Sequence, residues 1–245
     1  MSGSEQVSSG DAETAAVPDY KEEMITKNKL LQKNSGRRPF PTSCASGIAV
    51  IGITLFTLGL ILCEAKEVQS PAILSGCLFF ASGLVELITG IWAIVDNNLF
   101  GSTFMLCYGG LFLSLGVIVS DAFGTEAAYS SSDEYNNASG FYLTAWTVFT
   151  FFLWSSTFKS TLAIFALMGL LFLFLLLYPI ATFTGSKGVK VASGVVCFIT
   201  GCGCFYGVYD GLNTAANAFV RTPDDWLKMS ASRHQPEDDS LIEIV

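Results

Sequence analysis

Glu86 is the one ionisable side chain that lies deep inside a long apolar stretch of the sequence. A carboxylate at the centre of a bilayer costs at least about 2.5–3.5 kcal/mol, so such a residue is expected to face a bundle interior or water. We expect it to be protonated, or to be paired with Lys159 or with a hydroxyl. Two interpretations stay open: a proton relay or pore-lining group, and a hydrogen-bonded contact between helices.

Other polar side chains cluster around the start of the third apolar stretch. Asn98 is a candidate N-cap for a helix, and Ser102 and Thr103 follow it in the sequence. Tyr108 lies further in, where its hydroxyl needs a partner or water. Pore lining and an interhelical hydrogen bond are both open for Tyr108. We expect all four residues to line a solute pathway.

The remaining residues give no sign of an enzyme, a metal site or a cofactor. The only histidine is His234, and no serine stands in a G-x-S-x-G pattern. The 7 cysteines fall within apolar stretches, where small soft packing residues are the simplest interpretation. Phosphate-binding and dinucleotide fingerprints do not occur in the sequence. The 13 Lys and Arg are too dispersed for a nucleic-acid surface.

The elements that must position these side chains are six apolar runs. About 20 helical residues cross the hydrocarbon of a membrane, and the charged fraction of 14% is well below the roughly 25% of soluble domains. We therefore predict an all-α integral membrane protein with six transmembrane helices, in a transporter domain over residues 39–213. The predicted spans are residues 43–63, 72–95, 100–120, 140–158, 160–184 and 191–209. Residues 1–38 are predicted to be a disordered cytosolic tail, and residues 214–245 a second cytosolic tail.

The distribution of charge predicts the orientation in the membrane. Lys33, Arg37 and Arg38 precede the first span, whereas residues 121–139 contain no Lys or Arg. By the positive-inside rule, both tails of this multi-pass protein are cytosolic. We expect the plasma membrane, with membrane lipid around the helices. Asn137 begins a glycosylation sequon on the outer side.

Glycines recur at helical spacing along several of the predicted spans. Gly52 and Gly59 are seven residues apart in the first span, and Gly194 and Gly201 repeat that spacing in the last span. Such stripes let helix backbones approach closely in a bilayer. They predict a tight bundle or a contact between subunits.

Several short motifs, taken in order, resemble the acetate uptake transporter family of YaaH/SatP-type membrane proteins. The resemblance covers roughly residues 38–226 and all six spans. Its motifs are Gly83–Trp92, Asn98–Thr103, Tyr108–Gly110, Ala145–Thr150, Thr157–Lys159, Phe183–Ser186 and Gly211–Asn213. It implies a funnel of six helices, assembled as a homo-oligomer and expected to be a homo-hexamer. It also implies passage of acetate and similar short monocarboxylates, often with protons.

The resemblance further implies where a constriction lies. The family narrows its pathway with a Phe, a Tyr and a Leu, and the Tyr corresponds to Tyr108. The Leu corresponds to Leu170 or Leu171. The Phe falls near Gly47 or Ile48, where this sequence has no aromatic residue. Glu86 stands where the family usually keeps a Gln, which makes Glu86 the candidate for proton coupling.

Three functions follow as hypotheses. The first is passage of acetate and similar monocarboxylates, either proton-coupled or channel-like. The second is a channel for ammonia or another small neutral solute. The third is a membrane scaffold or sensor that transports nothing. The spans exclude a soluble enzyme.

Overall fold

The described part of the chain, residues 44–212 of a computed structural model, is built from long helices. They are α1 (Ala45–Leu62), α2 (Pro71–Val95), α3 (Leu99–Ser120), α4 (Ser132–Ser155), α5 (Leu162–Thr184) and α6 (Lys187–Leu212). This architecture confirms the predicted all-α fold. The predicted tails at 1–38 and 214–245, and residues 39–43 before α1, lie outside the described residues.

Within residues 44–212, 5 helices are long and apolar enough to cross a membrane. They are α1, α2, α3, α5 and α6. The fourth predicted span corresponds to α4, which is 24 residues long but carries Asp133 and Glu134 in its first turn. The predicted break between the fourth and fifth spans is present, because α4 ends at Ser155 and α5 begins at Leu162.

Helix α4 begins at Ser132, well before the residue 140 predicted for the fourth span. Its first turn is capped by side chains: Ser131 Oγ accepts from Glu134 N at 3.2 Å, and Glu134 Oε2 accepts from Ser130 N at 2.9 Å. Such reciprocal capping stabilises a helix start without apolar residues. Asn137 consequently lies on an exposed turn of a helix rather than in a loop.

Helix α2 changes its helical type along its length. A 3₁₀ turn at Pro71–Leu74 precedes a π-helical segment at Cys77–Val85, and regular α-helix follows over Glu86–Val95. π-helices are rare and are mostly single-turn bulges found at functional sites. The long π-helical segment ends directly before Glu86.

Helices α1 and α6 form the most extensive packing in the bundle. A Cβ atom at Gly201 would lie 2.5 Å from the Phe56 backbone nitrogen, and one at Gly59 would lie 2.5 Å from the Phe198 backbone nitrogen. The glycine stripes of the first and last spans therefore face each other, as close packing of helix backbones requires. Helix α2 packs on α3, and α5 packs on both α4 and α6.

Large side chains, rather than backbone contacts, join α3 to α4. Tyr108 bonds to Thr150, and Ser114 bonds to the Tyr142 hydroxyl. Trp146 lies 6.0 Å from the Tyr108 ring between centroids. Aromatic rings therefore fill the space between these two helices.

Ion pairs connect the loop after α1 to the first turn of α6. Glu64 lies 2.6 Å from Lys187 Nζ and 3.7 Å from Lys190 Nζ. The Lys187 hydrogen bond, with the charges of both lysines, holds the pKa of Glu64 below its usual value. This carboxylate also offsets the unfavourable position of two lysines at a helix N-terminus.

Candidate solute pathway

Two cavities follow one another along the inside of the bundle. The first cavity is lined by Ile48, Ile51, Leu55, Phe100, Phe104, Leu167, Met168, Leu171, Thr200 and Cys204. The second cavity is lined by Leu55, Leu58, Tyr108, Leu111, Phe112, Leu115, Leu143, Leu171, Phe174, Leu175 and Tyr178. Along α1, α3 and α5, the second cavity continues where the first one ends. The two cavities therefore mark a path through the protein.

Leu55 and Leu171 are the two side chains that line both cavities. Their exposed fractions are 2% and 4%. They form the wall that separates one cavity from the other, which makes them the candidate constriction. The sequence left Leu170 and Leu171 unresolved as candidates. Of the two, Leu171 lines both cavities, whereas Leu170 is half-buried and lines neither.

Gly47 has no room for a larger side chain. A Cβ atom there would lie 2.5 Å from Met105 Sδ and 3.2 Å from Thr89 Cγ2. Met105 is fully buried and occupies the space beside the glycine. Ile48, the next residue, lines the first cavity instead. On α1 the path is therefore bounded by aliphatic side chains rather than by an aromatic ring.

Tyr108 lines the second cavity with its ring and turns its hydroxyl towards α4. Its oxygen lies 2.5 Å from Thr150 Oγ1, and Thr150 Oγ1 in turn donates to the Trp146 carbonyl at 2.7 Å. Because the single hydroxyl proton of Thr150 is used in that second bond, Tyr108 is the donor in the first. The structure thus places Tyr108 both on the path and in an interhelical hydrogen bond.

The other polar candidates at the start of α3 serve the helix itself. Asn98 Oδ1 accepts from Gly101 N at 3.0 Å, which makes Asn98 the N-cap of α3 as predicted. Ser102 Oγ donates to the Leu99 carbonyl at 3.0 Å. Neither these two residues nor Thr103 is among those that line the two cavities. The structure does not bring them together with Tyr108.

Glu86 is fully buried, and neither carboxyl oxygen has a hydrogen-bond partner among the described residues. The expected pairing with Lys159 or a hydroxyl is therefore wrong; Lys159 is exposed in the turn between α4 and α5. Glu86 lines neither cavity, but it interacts electrostatically with Cys204, which lines the first, and with Tyr108, which lines the second. A buried unpaired carboxyl group is much cheaper as the neutral acid than as the anion.

Few polar side chains line the two cavities. Thr200 and Cys204 are the polar side chains of the first cavity, and Tyr108 and Tyr178 those of the second. Thr200 already donates to the Val196 carbonyl at 2.7 Å. Since the constriction itself is two leucines, it offers no donor to an anion. Neutral small molecules fit this chemistry.

Sequence reasoning missed Leu55, Thr200 and Cys204 as lining residues. A signal for Leu55 was present, because Ile48, Ile51 and Leu55 repeat at helical spacing on one face. That pattern cannot distinguish a lipid-facing stripe from a cavity wall. Among the described residues, no group of three or more His, Cys, Asp or Glu could hold a metal ion.

A family model and several known proteins match most of this chain. The model described as the GPR1/FUN34/yaaH family matches residues 28–228. Ammonia transport outward protein 2 of Saccharomyces cerevisiae is 39% identical over 182 residues, which cover 74% of this chain and 64% of that protein. Acetate permease A of Emericella nidulans is 27% identical over 204 residues, covering 79% of this chain and 68% of that protein. The chain thus spans just under two thirds of the yeast protein's length.

A solved structure shares the fold. It is described as the structure of the bacterial acetate channel SatP, and it superposes with a TM-score of 0.62. The superposition covers 70% of this chain and 91% of that chain, at 21% sequence identity. At that identity the likeness shows a common fold, which is the helical bundle described above.

Proposed function

Since the chain belongs to the GPR1/FUN34/yaaH family, we propose that it passes acetate and similar short-chain monocarboxylates across a membrane as neutral acids. The observation that carries this proposal is the pair of leucines, Leu55 and Leu171, between two cavities. Relatives whose names include an acetate permease, and the shared fold with an acetate channel, support the choice of solute.

Moving a carboxylate through an apolar constriction has a large free-energy cost. Removing a carboxylate from water into a low-dielectric medium costs on the order of 20 kcal/mol in the ideal case. A carboxylic acid that titrates near pH 4–5 is almost entirely ionised at neutral pH. Addition of one proton removes the charge and most of this cost. A pathway lined by leucines therefore favours acetic acid over acetate.

Glu86 is the group that holds the proton in this proposal. In the proposed cycle its carboxylic acid transfers one proton to a solute carboxylate in the neighbouring cavities, which Glu86 itself does not line, and the neutral acid then crosses. The solute releases the proton on the other side, and Glu86 must regain one before the next net crossing. Its position, in range of a residue on each cavity, supports this role.

Purified protein in liposomes tests the proposal. Labelled acetate uptake should rise as external pH is lowered at constant total acetate, beyond the flux into protein-free vesicles. A membrane potential set by potassium and valinomycin should not change the rate, because the crossing species carries no charge. Glu86→Gln should lower the rate and flatten its pH dependence. Uptake that follows the membrane potential would show anion passage and contradict the proposal.

Ammonia is a second candidate solute, and two observations favour it. A relative 39% identical is named an ammonia transport outward protein, and ammonia is a neutral molecule that suits an apolar constriction. Stopped-flow measurement of vesicle alkalinisation by ammonium chloride distinguishes the two. Protein-dependent alkalinisation that acetate does not inhibit would favour ammonia. Absence of both fluxes would favour the scaffold or sensor hypothesis.

We also propose the arrangement of the protein in its membrane. The apolar outer surfaces of α2 and α4, with exposed Phe80, Trp92 and Phe152, suit contacts with lipid or with other copies in a homo-hexamer. Both termini are proposed to be cytosolic, in the plasma membrane. Protease protection of tags at each end tests the orientation, and native mass spectrometry of the purified protein tests the hexamer.

A further inference from the structure

We propose that the proton held by Glu86 reaches it along a row of hydroxyl groups between α1 and α2, separate from the path of the solute. We call this row the hydroxyl seam, and it consists of Ser46, Thr89, Ser82 and Thr54, with Cys77 at one end. The inference rests on the proposed function, because it assigns the route that recharges Glu86.

One arm of the seam is a directed chain of hydrogen bonds. Ser82 Oγ donates to the Val50 carbonyl at 3.1 Å, which uses its only proton. The hydroxyl of Thr54 bonds to Ser82 and therefore donates to it. Thr54 also lies 3.1 Å from Cys77 Sγ, which must then be the donor in that contact. This arm runs from half-buried Cys77 to fully buried Ser82.

The other arm connects the opposite end of the seam to the surface. Ser46 Oγ lies 3.2 Å from Thr89 Oγ1. Ser46 is exposed, whereas Thr89 is buried with an exposed fraction of 3%. This pair joins the start of α1 to the second half of α2, whereas the first arm lies near the middle of α1 and in the first half of α2.

Glu86 lies between the two arms on α2. Ser82 is four residues before it and Thr89 three residues after it, so the three side chains share one face of the helix. Its titratable neighbours are Cys77 on its own helix, Tyr108 on α3 and Cys204 on α6. No cation among the described residues pairs with it. No hydrogen bond joins Glu86 to either hydroxyl, so in this proposal Ser82 or Thr89 rotates its hydroxyl from its present partner towards Glu86 to deliver the proton.

The π-helical segment of α2 is what aligns the first arm. Cys77 and Ser82 are five residues apart, which in a regular α-helix of 3.6 residues per turn would separate them by about 140° around the axis. Because a π-helix winds more widely, both side chains reach the same Thr54 hydroxyl. The π-helical geometry therefore allows Cys77, Thr54 and Ser82 to form one connected set of hydrogen bonds.

The seam and the solute path use different faces of α1. Ser46, Val50 and Thr54 contact α2, whereas Ile48, Ile51 and Leu55 line the cavities. Thr54, Ser82 and Thr89 line neither cavity. Protons can therefore reach Glu86 without crossing the leucine constriction.

This separation distinguishes two modes of transport. In net uptake, each neutral acid carries one proton away from Glu86, and the seam must replace it. In exchange of labelled for unlabelled acetate at equal pH, a returning acid restores the proton, and the seam is not needed. Loss of the seam should therefore slow net uptake while exchange continues.

The test uses proteoliposomes of the full chain with the double variant Thr54→Val/Thr89→Val, which removes one hydroxyl from each arm and keeps the side-chain shape. Net uptake driven by a pH gradient, followed with labelled acetate and a trapped pH dye, should fall on the order of 100-fold, the lower end of what a positioned proton transfer contributes. Exchange should stay near the wild-type rate. Thr54→Ser/Thr89→Ser should restore net uptake.

The matched control is Thr57→Val on the same helix, because the Thr57 hydroxyl bonds only its own helix, at Ile53 O and 2.8 Å. It should change neither mode. Equal loss of net uptake and exchange in the double variant would overturn the inference, since it would make the hydroxyls a structural support. Unchanged net uptake would also overturn it. Wild-type protein that moves acetate in neither mode would overturn the proposed function and this inference with it.

Discussion

The Tyr108 hydroxyl donates to Thr150 across the space between α3 and α4, over an oxygen–oxygen distance of 2.5 Å. The Tyr108 ring meanwhile lines the second cavity and lies 4.6 Å from the Phe104 ring between centroids. One side chain therefore contributes its apolar face to the pathway and its polar end to the packing of two helices.

Removal of that hydroxyl separates these two contributions. We expect Tyr108→Phe to destabilise the protein by about 1 kcal/mol, the usual worth of one buried hydrogen bond, and to leave acetate uptake near the wild-type rate. Thermal unfolding in detergent and liposome uptake measure the two effects. Thr150→Val should give the same pair of results. A large loss of uptake at unchanged stability would show instead that the hydroxyl contacts the solute.

A smaller side chain at Leu171 should widen the constriction. We expect Leu171→Ala to cost roughly 2–5 kcal/mol of stability, as large-to-small changes at buried sites do. It should also speed uptake of larger monocarboxylates, such as lactate or butyrate, more than uptake of acetate. Competition and direct uptake assays measure this ratio. Leu170→Ala is the matched control, because Leu170 lines neither cavity, and it should leave the selectivity unchanged.

The contact between α1 and α6 should tolerate no added carbon at Gly201. A Cβ atom there would meet the backbone of Phe56 at 2.5 Å, and backbone atoms cannot move aside as a flexible side chain does. We expect Gly201→Ala to destabilise the bundle by about 1–3 kcal/mol. Gly110→Ala, where a Cβ atom would meet no atom within 4 Å, should be neutral or slightly stabilising. Melting temperatures in detergent that are equal for both variants would contradict the close packing.

The Glu64 cluster should give stability that depends on pH. Its hydrogen bond with Lys187, and the nearby charges of both lysines, place the pKa of Glu64 below the usual 4.5. For a lowered carboxyl pKa, the contribution is fully present above about pH 4.5 and is lost as the pH falls through the lower folded-state value. Wild type should therefore unfold at a higher temperature than Glu64→Gln near neutral pH.

The two proteins should become equally stable in acid, once the pH lies below the lowered pKa of Glu64. Glu67→Gln is the control, because Glu67 makes no ion pair among the described residues. A constant difference between wild type and Glu64→Gln at all pH values would contradict the ion-pair origin of the effect.

Span positions could be predicted from the sequence because apolar length is a strong physical signal. The glycine stripes of α1 and α6 were also readable, since close packing in lipid requires small residues at helical spacing. The early start of α4 has a sequence signal in Ser131 and Glu134. A search for apolar stretches misses it, because the first turns of α4 contain few apolar residues. Local capping energy, not hydropathy, sets that boundary.

Details of the site were not accessible from the sequence. The choice between Leu170 and Leu171 depends on a rotation of about 100° around α5, which an all-apolar helix does not encode. The lack of a hydrogen-bond partner for Glu86 could not be foreseen, because its titratable neighbours come from its own helix and from α3 and α6. The π-helical segment before it carries no known sequence signature in these residues. Asn98 and Ser102 make local hydrogen bonds at the start of α3, and their place in a solute pathway stays a prediction, because capping residues and pore residues share the same chemistry.

The wide winding of Cys77–Val85 also bears on how this helix could have arisen. A segment with one residue fewer would close its turns as ordinary α-helix, and everything before the deletion would rotate by about 100° relative to Glu86. Cys77 would then turn away from Thr54, its present partner. Insertion of a single residue into a regular α-helix is thus enough to bring Cys77 and Ser82 onto the same side of α2, facing Thr54.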